Sequence, residues 1–204
     1  TPNILNAILV NSVFPQKLSN VAKKTKTKMI HITTDCVYSG KVGNYTEHDE
    51  HDVSDTYGRT KSLGEPKNCT IIRTSIIGEE VNQTRSLIEW IKSMSNKKTN
   101  GYDNHFWNGV TALELAKIIE KIISNNSYWM GVKHIHSPNS VSKLELLNIV
   151  NNVFNLNIKI SPLTTSKSIN RTLKSIHDIS NYNIPKIEDQ IKEMKSFNIQ
   201  SSLS

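Results

Sequence analysis

Four short apolar runs alternate with segments of helical period along this 204-residue chain, and that alternation is its strongest constraint. KMIHIT at 28–33, CTIIRT at 69–74, VKHIHS at 132–137 and NIKIS at 157–161 have the length and β-branched content of buried strands. Helices are expected over 4–22, with Pro15 as a kink or break, over 55–66 and over 86–94. Two more open at the capping boxes Thr111-x-x-Glu114 and Ser142-x-x-Glu145, and a last one follows Pro185. Buried strands joined through helices run parallel, with the helices covering the sheet faces. The expected fold class is therefore α/β.

Composition narrows the functional classes. There are 25 Lys and Arg against 18 Asp and Glu, a formal charge of +7. Only four of the basic residues are Arg (Arg59, Arg73, Arg85 and Arg171), and phosphate or base-edge recognition leans on the planar Arg fork. The Lys residues are scattered apart from KKTKTK at 23–28, so a solvated surface is expected and nucleic acid is not. No apolar run reaches the ~18 residues of a membrane-spanning helix, so no membrane span is expected. Cys36 and Cys69 are too few for a disulfide scaffold, which points to a reducing cytoplasm. His31, His134 and His136 alternate with apolar residues, as packed strand histidines do, and no third ligand is spaced for zinc. The acidic run Glu47, Asp49, Glu50, Asp52 and Asp55 lacks a calcium-loop pattern and reads as a solvated loop. No metal is expected.

One constellation carries chemistry. Thr33-Thr34-Asp35 closes the first strand, and Tyr57 and Lys61 lie four apart on the helix after the acidic loop, hence on one face. An ammonium beside a phenol lowers the phenol pKa from about 10. Such a Tyr can pass a proton to a carbonyl oxygen that Thr34 also holds, while hydride arrives from a nicotinamide. Tyr-x-x-x-Lys is weak by itself, and it gains specificity from the strand ending T-T-D before it and the strand ending R-T-S after it. No G-x-G-x-x-G occurs anywhere in the chain, although a nucleotide-binding doubly wound fold opens on one.

Together these motifs resemble the extended short-chain dehydrogenases/reductases, specifically the dTDP-4-dehydrorhamnose reductase-like branch. The resemblance runs through VNSVFPQKLS, IHITTDCVYSGKVGNYTE, DTYGRTKSLGE, IIRTSIIG, SLIEW, HFWNGVTALELAKII, HSPNSVSKLELL and INRTLKS. It implies a partial Rossmann-like parallel sheet over 1–100. A smaller substrate-binding lobe occupies most of 101–204, with some elements returning to the sheet. It also implies a catalytic set of Thr34, Tyr57 and Lys61, with Tyr57, Lys61, Thr74 and Ser75 at the nicotinamide end of NADP(H), or alternatively NAD(H). Asn11 matches the Asn that shapes the helix before the catalytic strand. Asp35, Cys36 and Arg171 fall on the substrate side, Arg171 suiting a pyrophosphate. Read from the residues alone, Trp107 is first a core side chain like Trp90 and Trp129, and its second reading, with Asn104, is at the border of the sugar pocket.

The implied activity is reduction of a nucleotide-activated 4-keto-6-deoxy sugar, in synthesis of surface polysaccharide. The alternatives are a nucleotide-sugar epimerase or dehydratase, or a non-catalytic reductase-like subunit. The implied partner is the nucleotide-sugar, and a homodimer is compatible with the pattern. Cys36 and Ile76 stand where rhamnose reductases usually carry an aromatic residue and a Trp, which leaves the sugar open. The resemblance begins after the family's first strands and Gly-rich turn. Roughly 70–80 residues are therefore expected upstream, and the chain alone is expected to bind NADPH negligibly.

Overall fold

The computed structural model describes residues 3–80 and 86–197, so Arg85 lies outside the described residues. Its centre is a parallel three-stranded sheet. Thr70–Thr74 lies in the middle, with Ile30–Thr34 on one side and Gly131–His134 on the other. TIIRT forms the centre because every one of its residues is buried, and β-branched side chains pack well on a pleated surface covered on both faces. The register sets Thr34 opposite Thr74, so both hydroxyls emerge at the same carboxyl end of the sheet.

Two cores flank that end. Helix Ala112–Ser124 lays Leu115, Ile118 and Ile122 against Ile72, Val110 and Ile135. Each such side chain contributes about 1.5–3 kcal/mol by leaving water. The second core builds a lobe of its own from Ile88 and Ile91, Trp107, Leu146, Leu147 and Val150, and Ile187, Ile191 and Met194. Short strand pairs edge this lobe: Lys98–Tyr102 with Lys159–Leu163, and His105–Trp107 between Ile169–Asn170 and Val141–Ser142. Lys159–Leu163 overlaps the strand expected at 157–161, while the other pieces escape a reading by periodicity, because so short a run carries no recognisable pattern.

Local chemistry departs from expectation at three points. The first helix is irregular ahead of Pro15: it runs Ile4–Ile8, passes through a π-helical turn at Leu9–Val13, and resumes at Phe14–Lys24. Pro15 has no N–H for the Asn11 carbonyl four residues back, so the regular ladder cannot continue there. Ser142 and Glu145 form a reciprocal capping box, whereas Thr111 caps Glu114 N without the return bond. The acidic loop is braced as well as solvated. Asp52 accepts from Ser39, Asp49 from Thr46, and Glu47 from Ser175, Ile176 N and His134 N. Among the described residues no helix is long and apolar enough to cross a membrane.

Candidate functional site

Four local features bring the expected catalytic residues together. Thr34 ends its strand and caps the turn Asp35–Val37: its Oγ1 accepts from Cys36 N at 3.1 Å and donates to Asp35 Oδ1 at 3.2 Å. Asp55 caps the helix Thr56–Leu63, accepting from Gly58 N at 2.9 Å, and so starts the turn that carries Tyr57 and Lys61. Gly58 lets that helix press on the Thr34 turn, since a Cβ there would lie 2.3 Å from the Cys36 carbonyl oxygen. Asn11 in the π-turn fixes the helix from behind. Its Nδ2 donates to Thr60 Oγ1 at 3.1 Å, and Ser12 Oγ donates to the Thr60 carbonyl at 2.7 Å.

The result is a cleft of 340 Å³ at the carboxyl end of the sheet, lined by Thr34, Asp35, Cys36, Tyr57, Lys61, Thr74 and Ser75 among others. Its electrostatics differ from the sequence expectation. Burial raises the Tyr57 pKa, Cys36 adds to that, and only the Thr34 hydroxyl opposes it. Lys61 is not among the groups acting on Tyr57. Its own ammonium is lowered by burial and supported by Glu65. The expected Lys-driven lowering of Tyr57 is thus overturned, because desolvation and the neighbouring Cys36, Asp35 and Asp55 set the direction instead. Tyr57 is a protonated acid at neutral pH, half exposed to the cleft.

The substrate-side residues divide. Asp35 is buried, and burial raises its carboxyl despite Arg171, Thr34, Cys36 and Lys143. Arg171 donates Nη1 to Cys36 Sγ at 3.7 Å, while its Nε is buried without a partner. Asn104 and Trp107 do not line the cleft. Asn104 pins the neighbouring loop through Thr165, and Trp107 is the inward residue of its strand, 4% exposed in the lobe core. Sequence reasoning missed Lys143, which acts on Asp35 and lies over the Trp107 ring at 5.5 Å. A Lys following a helix cap reads as solvated, and nothing in the sequence links position 143 to position 35.

Behind the cleft lies a second polar cluster, closed on itself. Buried Arg73 grips Glu65 with Nε at 3.1 Å and Nη2 at 2.5 Å, and its Nη1 donates to Tyr38 OH at 2.7 Å. The same Nη1 lies 2.8 Å from His134 Nε2. His134 Nδ1 faces the carbonyls of Tyr45 and Lys174 at 3.0 Å and must donate to them, so Nε2 is the acceptor and the ring is neutral. Burial takes its pKa down to about 4.

Comparison with known proteins agrees with this architecture. A family model described as the RmlD substrate binding domain matches residues 3–183. A dTDP-4-dehydrorhamnose reductase from Clostridium acetobutylicum superposes with a TM-score of 0.77 at 19% identity, over 95% of this chain and 74% of that one. The Bacillus anthracis dTDP-4-dehydrorhamnose reductase, solved with NADP, gives 0.78 at 17% identity, over 96% and 77%. A dTDP-glucose 4,6-dehydratase from the same organism, solved with NAD, gives 0.67 at 16% identity, over 93% and 67%. No match is found among curated proteins. At these identities the solved structures establish the fold, a Rossmann-like α/β arrangement with parallel sheets.

Proposed function

Because this chain belongs to the RmlD substrate-binding-domain family, we propose that the protein is an NADP(H)-dependent reductase of a nucleotide-activated 4-keto-6-deoxy sugar. The observation that carries this reading is the single cleft that gathers Thr34, Tyr57 and Lys61 where parallel strands end, with Arg171 behind Asp35 and Cys36. Crevices off the carboxyl ends of parallel strands are where such sheets take ligands. The residues present fit the nicotinamide end of a dinucleotide. Thr33 Oγ1 is buried without a partner, and Thr74 and Ser75 close the central strand beside it. NAD(H) in place of NADP(H) would use the same residues.

When bound, the dihydronicotinamide supplies a hydride to the keto carbon. Tyr57 hydroxyl donates its proton to the keto oxygen, a role suited to a phenol whose raised pKa keeps it protonated at neutral pH. Thr34 Oγ1, fixed by Cys36 N, holds the same oxygen in line. Lys61 lies one helical turn from Tyr57, where its ammonium can meet a ribose hydroxyl of the cofactor. Asp35 accepts from sugar hydroxyls, and Arg171 pairs with a phosphate of the nucleotide. Supply of activated sugars for surface polysaccharide in the cytoplasm is the setting this chemistry fits.

The test is to incubate the native protein with NADPH and dTDP-linked or UDP-linked 4-keto-6-deoxy sugars and follow loss of NADPH absorbance. Stoichiometric oxidation with formation of the 4-hydroxy sugar is expected. Conversion of the sugar with no net NADPH consumption would replace the reductase with an epimerase or dehydratase. A protein that binds both ligands and turns over neither would be a binding subunit.

A further inference from the structure

The substrate side of the cleft holds two cations to one carboxylate. Arg171 and Lys143 both act on Asp35, and neither forms an ion pair with it. Lys143 is half-buried, and among the described residues its ammonium makes no hydrogen bond or ion pair. Its one marked contact is the Trp107 ring at 5.5 Å. Burial lowers its pKa more than Asp35 and Cys36 raise it. A lysine with a free stem would carry such a charge out to water. Lys143 is the first residue of the helix Lys143–Phe154, and the reciprocal Ser142–Glu145 box fixes the backbone at its root. The desolvation cost is therefore met in the folded protein with Asp35 acting only at a distance and no ion pair or hydrogen bond at the ammonium, which leaves its donors open to a ligand.

What lies on either side of Lys143 indicates the ligand. On one side is Asp35, a lining residue of the cleft that contains Tyr57. On the other, Lys143 forms part of the wall of a separate 270 Å³ cavity that is mostly apolar. There Tyr102 and His105 stack at 4.5 Å beside Trp90 and Leu146, giving flat walls for a planar ring. The order is thus redox cleft, two cations, flat apolar slot.

We propose that Lys143, together with Arg171, binds the diphosphate of the nucleotide-sugar, and that it is a specificity-determining residue for substrates charged between ring and sugar. This rests on the nucleotide-sugar reading above. A diphosphate brings at least two negative charges to two cations, and it leaves the sugar towards Tyr57 and the base towards Tyr102. A neutral link would leave both cations desolvated and unpaired.

Calorimetric titration of the native protein separates the outcomes, with UDP and dTDP as charged probes and uridine and thymidine as their neutral counterparts. Lys143→Met should weaken both diphosphates about ten- to a hundredfold and leave the nucleosides unchanged, the loss of one charge-assisted contact. Lys143→Arg should restore most of that affinity, and Lys143→Gln serves in place of the Met variant if that one does not fold. Equal losses for nucleoside and diphosphate would make Lys143 a packing residue and overturn the proposal. Wild-type affinity for diphosphates in Lys143→Met would overturn it too, with the nucleotide-sugar reading intact. A wild-type protein that binds none of the four probes would remove both.

Discussion

The cleft and the cluster behind it are made of similar polar groups and are held in opposite ways. In the cluster, Arg73 spends its guanidinium on Glu65, Tyr38 and His134, and His134 uses both ring nitrogens on protein partners. In the cleft and just behind it, Thr33 Oγ1 and Arg171 Nε are buried without partners, as are His31 Nε2, Asp103 Oδ1 and Trp129 Nε1 elsewhere, and Lys143 feels Asp35 without pairing to it. Buried polar groups are costly when unpaired, so a folded protein tolerates a collection of them only where something else completes them. The difference separates a cluster satisfied within the protein from groups that the proposed function gives to a ligand. Glu65 joins the two regions: it is clamped by Arg73 on one side and supports the Lys61 ammonium on the other.

The sharpest way to break that division is to cut the closed cluster. Arg73→Met strips buried Glu65 of its two guanidinium bonds, and should cost about 3–5 kcal/mol in urea unfolding while the folded fraction keeps its turnover. An unchanged midpoint would mean the cluster does not hold the fold. In the open cleft the converse is expected. Tyr57→Phe should lower kcat by about 10²-fold or more with little change in KM or in melting temperature, because its proton is needed only in the transition state. Near-normal turnover on 4-keto nucleotide-sugars would remove Tyr57 from the chemistry.

Arg171→Ala should weaken nucleotide-sugar binding by about 1.5–3 kcal/mol and leave cofactor binding nearly unchanged. Calorimetry showing equal loss for both ligands, or for neither, would move Arg171 to the structural side of the comparison.

A pH profile probes the closed cluster by a gentler route. His134 is neutral in the fold with a pKa of about 4, against about 6.5 unfolded, so between those values the unfolded chain binds more protons. Its contribution is complete above about pH 6.5 and is lost as pH falls towards 4, at no more than about 1.4 kcal/mol per pH unit. His134→Gln should flatten that part of the stability profile, and a wild-type slope in the variant would assign the acid sensitivity elsewhere.

Much of this was legible in the residue order. The runs ending Thr34 and Thr74, the Tyr57–Lys61 spacing and the Ser142–Glu145 box depend on contacts within a few residues, where period and capping chemistry act directly. The π-turn at Leu9–Val13 was half legible, since Pro15 marks a broken ladder while the shape of the break is set by packing against Thr60. Trp107 sits in the core, as its first reading had it, while the pocket-border reading of Trp107 and Asn104 failed because an apolar or amide side chain near a pocket sequence can equally face the core or a loop.

By itself, then, the sequence determined the strand–helix alternation, the parallel sheet and the placing of Thr34 at a strand end and of Tyr57 and Lys61 on one helix face, all consequences of short-range spacing and side-chain branching. Only the tertiary structure decided that Lys143 stands beside Asp35, that Arg73 locks Glu65 and His134, and that Tyr57 is raised rather than lowered. Those outcomes depend on which distant groups meet and how much water is removed between them. Coulomb attraction and desolvation act through space, and the order of residues along the chain does not record either distance.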